Sequence, residues 1–196
     1  MVSLYIDTSS DYLAAVLTDN NILKGSLSIY AGRNMSEILL VQIDNLLKSL
    51  SYNINDIDEF YADIGPGSFT GVRIGVAMVL GLSEGRGGKA YGISSLDIQA
   101  AASGGARLKA AAQLKNNIYA VKSYDFQENI FSDYSCEEIN DKDIHKYMLV
   151  NSGAYTEPDM IGAVKSGMLP KFRTICSPVY LRKSEAEINI DKKSRS

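Results

Sequence analysis

Residues 60–75 read FYADIGPGSFTGVRIG, in which a run typical of a β-strand is followed at once by the start of an apolar helix. The strand-like part ends at residues 65–67, where two glycines permit the tight turn that such a connection requires. Ser68 or Thr70 can begin the helix, because a hydroxyl there accepts a hydrogen bond from the first unpaired N–H groups. The stretch therefore predicts a strand, a turn and a helix in succession.

Two interpretations of this turn remain open. Its amide groups and the positive end of the helix dipole would point at one position, where a phosphate could bind. The spacing favours the other interpretation, a packed structural turn. A Walker loop is excluded, because no Gly-Lys-Ser or Gly-Lys-Thr follows the glycines.

The helix after the turn carries Arg73 as its only charge between Ile64 and Ser83. Its apolar side chains point in every direction, which predicts a helix that is covered on more than one side. Gly71 and Gly75 lie on one helix face, and a glycine inside a helix costs about 1 kcal/mol relative to alanine. We therefore expect another backbone to approach this face closely.

An earlier helix is predicted over residues 36–50, and its inward apolar stripe is widened by Leu40 and Val41. One interpretation is a helix buried deep in the core. The other is a subunit interface, in which the two helices cover their own sheet on one side and a second protein on the other. Exposed apolar patches of this extent usually mark partner sites.

The composition sets limits on the class of protein. The 196 residues are 45% hydrophobic with a net charge of −3, which suits one domain or two small lobes and favours neither nucleic acid nor a membrane as an independent partner. Without a visible signal peptide or membrane span, we expect a cytoplasmic location. Cys136 and Cys176 are predicted to be free thiols, and the lone His145 has no neighbours at metal-ligand spacing.

The order of elements predicts an α/β fold in which strands alternate with helices and pair in parallel. The Gly- and Ala-rich run at residues 101–106 predicts a boundary between an N-terminal lobe, 1–103, and a smaller second lobe, 104–183, followed by a flexible tail, 184–196. Strands are expected at 4–6, 12–18, 22–29, 58–64, 89–93, 107–113, 117–125 and 147–151, and helices at 36–50, 68–83, 95–103 and 157–167.

Three segments carry a resemblance to a known family: LYIDTS at residues 4–9, GPGSFTGVRIG at 65–75 and PVYLR at 178–182. Together they resemble the TsaB (YeaZ) family, most strongly over residues 2–97. The resemblance implies an actin-like (ASKHA) α/β fold with a ribonuclease H-like motif and two lobes, the second of them reduced.

The resemblance also implies a function: a non-catalytic subunit that supports a TsaD-type threonylcarbamoyltransferase in forming threonylcarbamoyladenosine at position 37 of ANN-decoding tRNAs. A TsaE-type ATPase would be a further partner, tRNA would bind only through the complex, and the chain would pair with itself when the TsaD-type subunit is absent. Family members pair through the first two helices of the N-terminal lobe. Here that implies contacts from Met35, Ile38, Leu39, Leu40, Gln42, Val72, Gly75, Val76, Met78 and Val79.

The chain departs from the family pattern at two places. Met35 stands where a His is frequent, and the hairpin at residues 112–115 lacks the acid that usually begins it. Both departures imply that the isolated chain has no catalytic residues, no metal and no cofactor, with at most weak ATP or ADP binding in the complex.

The alternative hypothesis is an actin-like ATPase or phosphotransferase. Such an enzyme needs carboxylates to position water against the γ-phosphate, and the second lobe offers none in place. In this hypothesis the phosphates would meet Asp7, Thr8, Ser9, Gly65, Gly67 and Ser68.

Overall fold

A computed structural model describes residues 1–150 and 159–179, which form two β-sheets with helices packed against them. The first sheet has the strand order β3-β2-β1-β4-β5. Strand β1 is antiparallel to β2 and parallel to β4, and β4 is parallel to β5, so the predicted α/β pattern with parallel pairing is confirmed. Its strands are β1 Val2–Asp7, β2 Tyr12–Asp19, β3 Ile22–Tyr30, β4 Glu59–Asp63 and β5 Lys89–Ile93.

Helices α1 (Met35–Ser49) and α2 (Phe69–Arg86) share a buried apolar cluster with strands of the first sheet. Ser68 is the N-cap of α2, as predicted, and its Oγ accepts a hydrogen bond from the Gly71 N–H. The helix runs three residues beyond the predicted end and stops where Gly87 takes the left-handed conformation, at φ 75°.

The second sheet has the strand order β10-β6-β7-β8, and β9 also pairs with β7. Its strands are β6 Arg107–Lys115, β7 Ile118–Asp125, β8 Ile130–Phe131, β9 Ser135–Glu138 and β10 Met148–Val150. Strands β8 and β9 were not predicted, because two and four residues are too short to show a clear alternation of apolar and polar positions.

Helix α3 (Ser95–Ser103) connects the two sheets and packs with α4 (Met160–Lys165) in one apolar cluster. That cluster contains Tyr5 and Tyr61 of the first sheet together with Ala112 and Ala120 of the second. The first sheet thus lies before the predicted boundary at 103 and 104 and the second sheet lies after it, yet both sheets contribute to one apolar core. The division into lobes stays a prediction.

Several predicted features fall wholly or partly outside the described residues. These are the final residue of the strand at 147–151, the start of the helix at 157–167, most of the PVYLR segment and the tail at 184–196. The first two residues of PVYLR are described, and the Val179 N–H donates a hydrogen bond of 2.9 Å to the Ile64 carbonyl oxygen. The returning chain is therefore held against the end of β4.

The close backbone approach predicted at Gly71 is confirmed, whereas the atom that approaches Gly75 belongs to a side chain. A Cβ on Gly71 would lie 2.0 Å from the carbonyl oxygen of Thr8, and one on Gly75 would lie 2.3 Å from Thr8 Oγ1. The approaching segment is the connection between β1 and β2 of the same chain. Within the described residues, no helix is both long and apolar enough to cross a membrane.

Candidate functional site

Two regions carry the residues that the sequence singled out: the ends of β1 and β4, and the outer side of α1 and α2. At the first region, Asp7 and Asp63 occupy matching positions at the ends of adjacent parallel strands, as the pairing of Ile6 with Ala62 shows. Each carboxylate accepts a hydrogen bond of 2.7 Å from the N–H two residues further along, that of Ser9 or Gly65.

Asp63 was not among the predicted site residues. Its carboxylate also accepts hydrogen bonds of 2.7 and 2.8 Å from Ser95 Oγ, at the first residue of α3. Asp7 is 4% exposed and Asp63 is 2% exposed. Burial raises the pKa of Asp7, and burial together with the nearby Asp7 carboxylate raises the pKa of Asp63. The signal available in the sequence was that both acids end a strand immediately before a turn.

The six residues predicted to meet a phosphate differ in exposure, and their assignment stays a prediction. Asp7, Thr8, Ser9 and Gly65 are buried, and their polar atoms bond within the chain. Two further hydrogen bonds hold this region. Thr8 Oγ1 donates one of 2.7 Å to the Gly71 carbonyl oxygen, and the Ser68 N–H donates one of 2.7 Å to the Ser9 carbonyl oxygen. The arrangement fits the packed structural turn, and only Gly67 and Ser68 are exposed.

At the second region, six of the ten residues predicted to contact a partner are buried within the chain, and the interface assignment stays a prediction. Five of them have side chains that α1 and α2 contribute to the core beneath: Met35, Leu39, Val72, Val76 and Val79. The sixth, Gly75, is buried against Thr8. A second protein has no access to these six residues in this conformation. Ile38, Gln42 and Met78 are partly exposed, and Leu40 is 51% exposed.

Three exposed apolar side chains were not among the predicted contacts: Val41 at 55%, Leu80 at 44% and Phe69 at 37% exposure. We call the surface formed by Ile38, Leu40, Val41, Met78 and Leu80 the α1–α2 face. Beside it, a cavity of about 450 Å³ opens between the starts of the two helices, with Arg33, Met35, Thr70 and Ile74 in its wall.

Small residues continue the α1–α2 face along α2. Ala77, Gly81 and Gly85 are exposed at four-residue spacing, on one side of the helix. A Cβ added to Gly81 or Gly85 would meet no atom within 4 Å, so the chain itself gives no packing reason for these glycines. An exposed glycine inside a helix costs about 1 kcal/mol relative to alanine, whereas it lets another helix approach closely.

A metal centre finds little support in the described part of the chain, where no group of three or more His, Cys, Asp or Glu side chains is placed to hold an ion. Cys136 is an exposed free thiol and Cys176 a buried one, as predicted. Burial raises the pKa of Cys176 to about 11, which keeps that thiol protonated and unreactive at neutral pH.

The fold and sequence are similar to those of known proteins. YeaZ from Pseudomonas aeruginosa superposes with a TM-score of 0.73 over 92% of this chain and 99% of its own, at 20% identity, and so has the same fold. The tRNA threonylcarbamoyladenosine biosynthesis protein TsaB of Haemophilus influenzae is 32% identical over half of this chain, and that of Escherichia coli is 29% identical over 47%. The matched segments span about two fifths of those relatives.

A family model described as TsaD, tRNA N6-adenosine threonylcarbamoyltransferase, matches residues 24–127, more than half of the chain. These residues include α1, α2 and the turn that joins β4 to α2. The predicted resemblance to TsaB is confirmed by the two curated relatives. The chain belongs to the protein family that this model describes, and within it resembles TsaB (YeaZ).

Proposed function

We propose that this chain is a non-catalytic subunit that binds a TsaD-type threonylcarbamoyltransferase through its α1–α2 face and supports it in forming threonylcarbamoyladenosine at position 37 of ANN-decoding tRNAs. Family membership suggests the pathway. The observation that carries the docking role is the exposed apolar surface of α1 and α2, at Leu40, Val41 and Leu80.

The two helices are suited to partner binding because their inner sides already pack against the chain's own sheet, which leaves their outer sides for another protein. Val72, Val76 and Val79 pack toward the sheet, and the opposite side of α2 carries Ala77, Gly81 and Gly85. A partner helix that lies along these small residues could contact Leu80 on one flank. A stable interface buries about 1,200–2,000 Å² in total, and two helices of 15 and 18 residues are long enough to contribute such an area.

The same face would serve self-pairing when the TsaD-type subunit is absent. Since one surface cannot hold both partners, the homodimer and the TsaD-type complex exclude each other in this proposal. The TsaE-type ATPase and tRNA then join through the assembled complex, which agrees with the chain's net charge of −3. Any ATP or ADP binds weakly and in the complex.

The alternative, an actin-like ATPase or phosphotransferase, has less support. Four of the six residues that would meet the phosphates are buried, and they form hydrogen bonds within the chain: Ser9 with Asp7, Thr8 with Gly71, and Gly65 with Asp63. The acid missing from the hairpin at residues 112–115 has no replacement there, because that stretch reads Ala-Gln-Leu-Lys.

Co-expression with the TsaD-type and TsaE-type proteins of the same organism tests the proposal. The wild-type chain should co-purify with the TsaD-type subunit and restore modified adenosine in tRNA. Leu80→Glu should abolish both. Ile130→Glu is the matched control, because Ile130 is 64% exposed in the second sheet, away from α1 and α2. Equal co-purification of both variants would refute docking through this face, and turnover of ATP by the isolated chain would favour the alternative.

A further inference from the structure

The carboxyl groups of Asp7 and Asp63 form a buried pair that the proposed docking role does not use. They lie side by side at the ends of the parallel strands β1 and β4, and Asp7 is 4% and Asp63 2% exposed. Two ionised carboxylates are strongly disfavoured in such a place, because their charges repel where water is excluded and neither can donate a hydrogen bond to the other. One carboxyl of the pair must therefore hold a proton.

Among residues 1–150 and 159–179, the groups that contact the pair are hydrogen-bond donors, and neither carboxyl forms an ion pair there. The N–H groups of Ser9 and Gly65 and the Ser95 hydroxyl donate to the pair, which is enough to stabilise one negative charge.

Other titratable groups lie further away. The Tyr134 phenol interacts with Ser94 through a hydrogen bond, and with the Asp97 and Asp63 carboxylates through their charge. The Asp97 carboxylate is already paired, since it accepts a hydrogen bond of 2.6 Å from Lys122 Nζ. Lys122 thus balances the negative charge of Asp97 locally.

The pair also lies where two segments meet the start of α2. Thr8 and Ser9 follow Asp7, and they bond to the Gly71 carbonyl and the Ser68 N–H respectively. Asp63 precedes the turn at residues 65–67 that leads into α2, and its carboxylate holds the first N–H of that turn. Any change in the charge of the pair therefore acts on both attachments of α2.

We propose that Asp7 and Asp63 share one proton, and that this protonated pair is a latch that fixes the start of α2 against β1. Because an aspartate in the unfolded chain has its usual pKa near 3.8, the folded protein holds one more proton than the unfolded chain above that pH. Stability is then lost as the pH rises through the raised pKa of the pair, and the turn at residues 65–68 loosens.

The thermal midpoint measured from about pH 5 to about pH 9 tests the shared proton. The wild-type midpoint should fall with rising pH. Asp63→Asn should flatten this slope, because the amide oxygen still accepts from Gly65 and Ser95 while its N–H₂ donates to Asp7 without a proton. At the alkaline end the variant should exceed wild type by roughly 2–4 °C or more. Asp11→Asn, an exposed acid on the same connection, should keep the wild-type slope.

Two measurements on the wild-type chain keep the proposal testable if a variant does not fold. Carbon-13 NMR of aspartate carboxyls should show one protonated group at neutral pH. Amide exchange at Gly71 and Val72 should quicken at alkaline pH beyond its ordinary base dependence, and Asp63→Asn or Asp7→Asn should suppress the excess. The shared proton would be overturned if NMR showed both carboxyls ionised. It would also be overturned if the thermal midpoints of wild type and Asp63→Asn had equal slopes against pH, or if added magnesium removed the wild-type slope. The latch would be overturned if exchange of the Gly71 and Val72 amides followed only its ordinary base dependence.

Discussion

Thr8 and Gly71 are in direct contact across 63 positions of sequence: Thr8 Oγ1 donates a hydrogen bond of 2.7 Å to the Gly71 carbonyl oxygen. A Cβ on Gly71 would lie 2.0 Å from the Thr8 carbonyl oxygen, a distance that only a backbone shift could relieve. This contact joins the β1–β2 connection to the first turn of α2. The approach of Thr8 explains why Gly71 and Gly75 have no side chain. It does not explain Gly81 and Gly85, which we assign to the contact with a partner protein.

Gly71→Ala should therefore destabilise the chain by about 1–3 kcal/mol or more, the range of overpacked cores. Gly81→Ala should stabilise it by about 1 kcal/mol, because its new methyl group meets open space and alanine is the better helix former. Urea unfolding of the two variants beside wild type measures both changes. A stable Gly71→Ala variant would mean that Thr8 does not sit against α2.

Val76 and Leu80 lie one turn apart on α2, and substitutions at these two positions distinguish an effect on folding from an effect on docking. Val76 is 4% exposed and Leu80 is 44% exposed. Val76→Glu should unfold the chain or cost several kcal/mol, because it buries an unpaired carboxylate. Leu80→Glu should change stability by no more than about 0.5 kcal/mol. Circular dichroism melts of the purified chains compare them, and equal melting of both variants would contradict the burial assigned to α2.

Bulk at Gly81 tests whether the small residues on α2 admit a partner. Gly81→Leu should leave the melting temperature of the isolated chain close to that of Gly81→Ala, since Gly81 is exposed and a Cβ there meets no atom within 4 Å. It should weaken self-pairing by at least about tenfold, or about 1.4 kcal/mol, because a partner backbone could no longer approach. Analytical ultracentrifugation gives the dimer dissociation constants, and equal constants for the leucine and alanine variants would exclude a close approach here.

Lys122 and Asp97 form a buried ion pair between β7 and α3. The Asp97 carboxylate also accepts hydrogen bonds of 2.8 Å from the Tyr124 hydroxyl and from Ser94 Oγ. Lys122→Met should cost about 3–5 kcal/mol, because it leaves a buried carboxylate without its cation. Lys24→Met, an exposed lysine on β3, serves as control and should be nearly neutral. Urea unfolding that ranks the two variants alike would show that the pair contributes little to joining the sheets.

The sequence predicted the secondary structure of the first sheet well because its signals are local. The Ser68 hydroxyl, the glycines at 65–67 and the apolar runs each act within a few residues, and α3 was predicted with the bounds it has, Ser95–Ser103. The two-residue strand β8 was missed, because so short a strand shows no alternation of apolar and polar positions, although its partners Tyr124 and Asp125 are close in sequence.

The inward side of α2 could not be read from the sequence, because apolar residues occupy every direction around this helix. Val76 was assigned to the partner face and is in the core, whereas Leu80 was passed over and is exposed. Only the register of α2 against the sheet, set by contacts such as Gly75 with Thr8, distinguishes the two sides. Asp63 was missed for a similar reason, since its pairing with Asp7 arises from the alignment of β1 with β4.

Titration calorimetry of the purified chain into the TsaD-type protein of the same organism tests docking through the α1–α2 face most directly. Wild type and Ile130→Glu should bind with equal affinity, and Leu80→Glu should bind at least about a hundredfold more weakly, a loss of about 2.8 kcal/mol. Equal affinity of Leu80→Glu and wild type, with both chains folded, would contradict the assignment of this face to the partner.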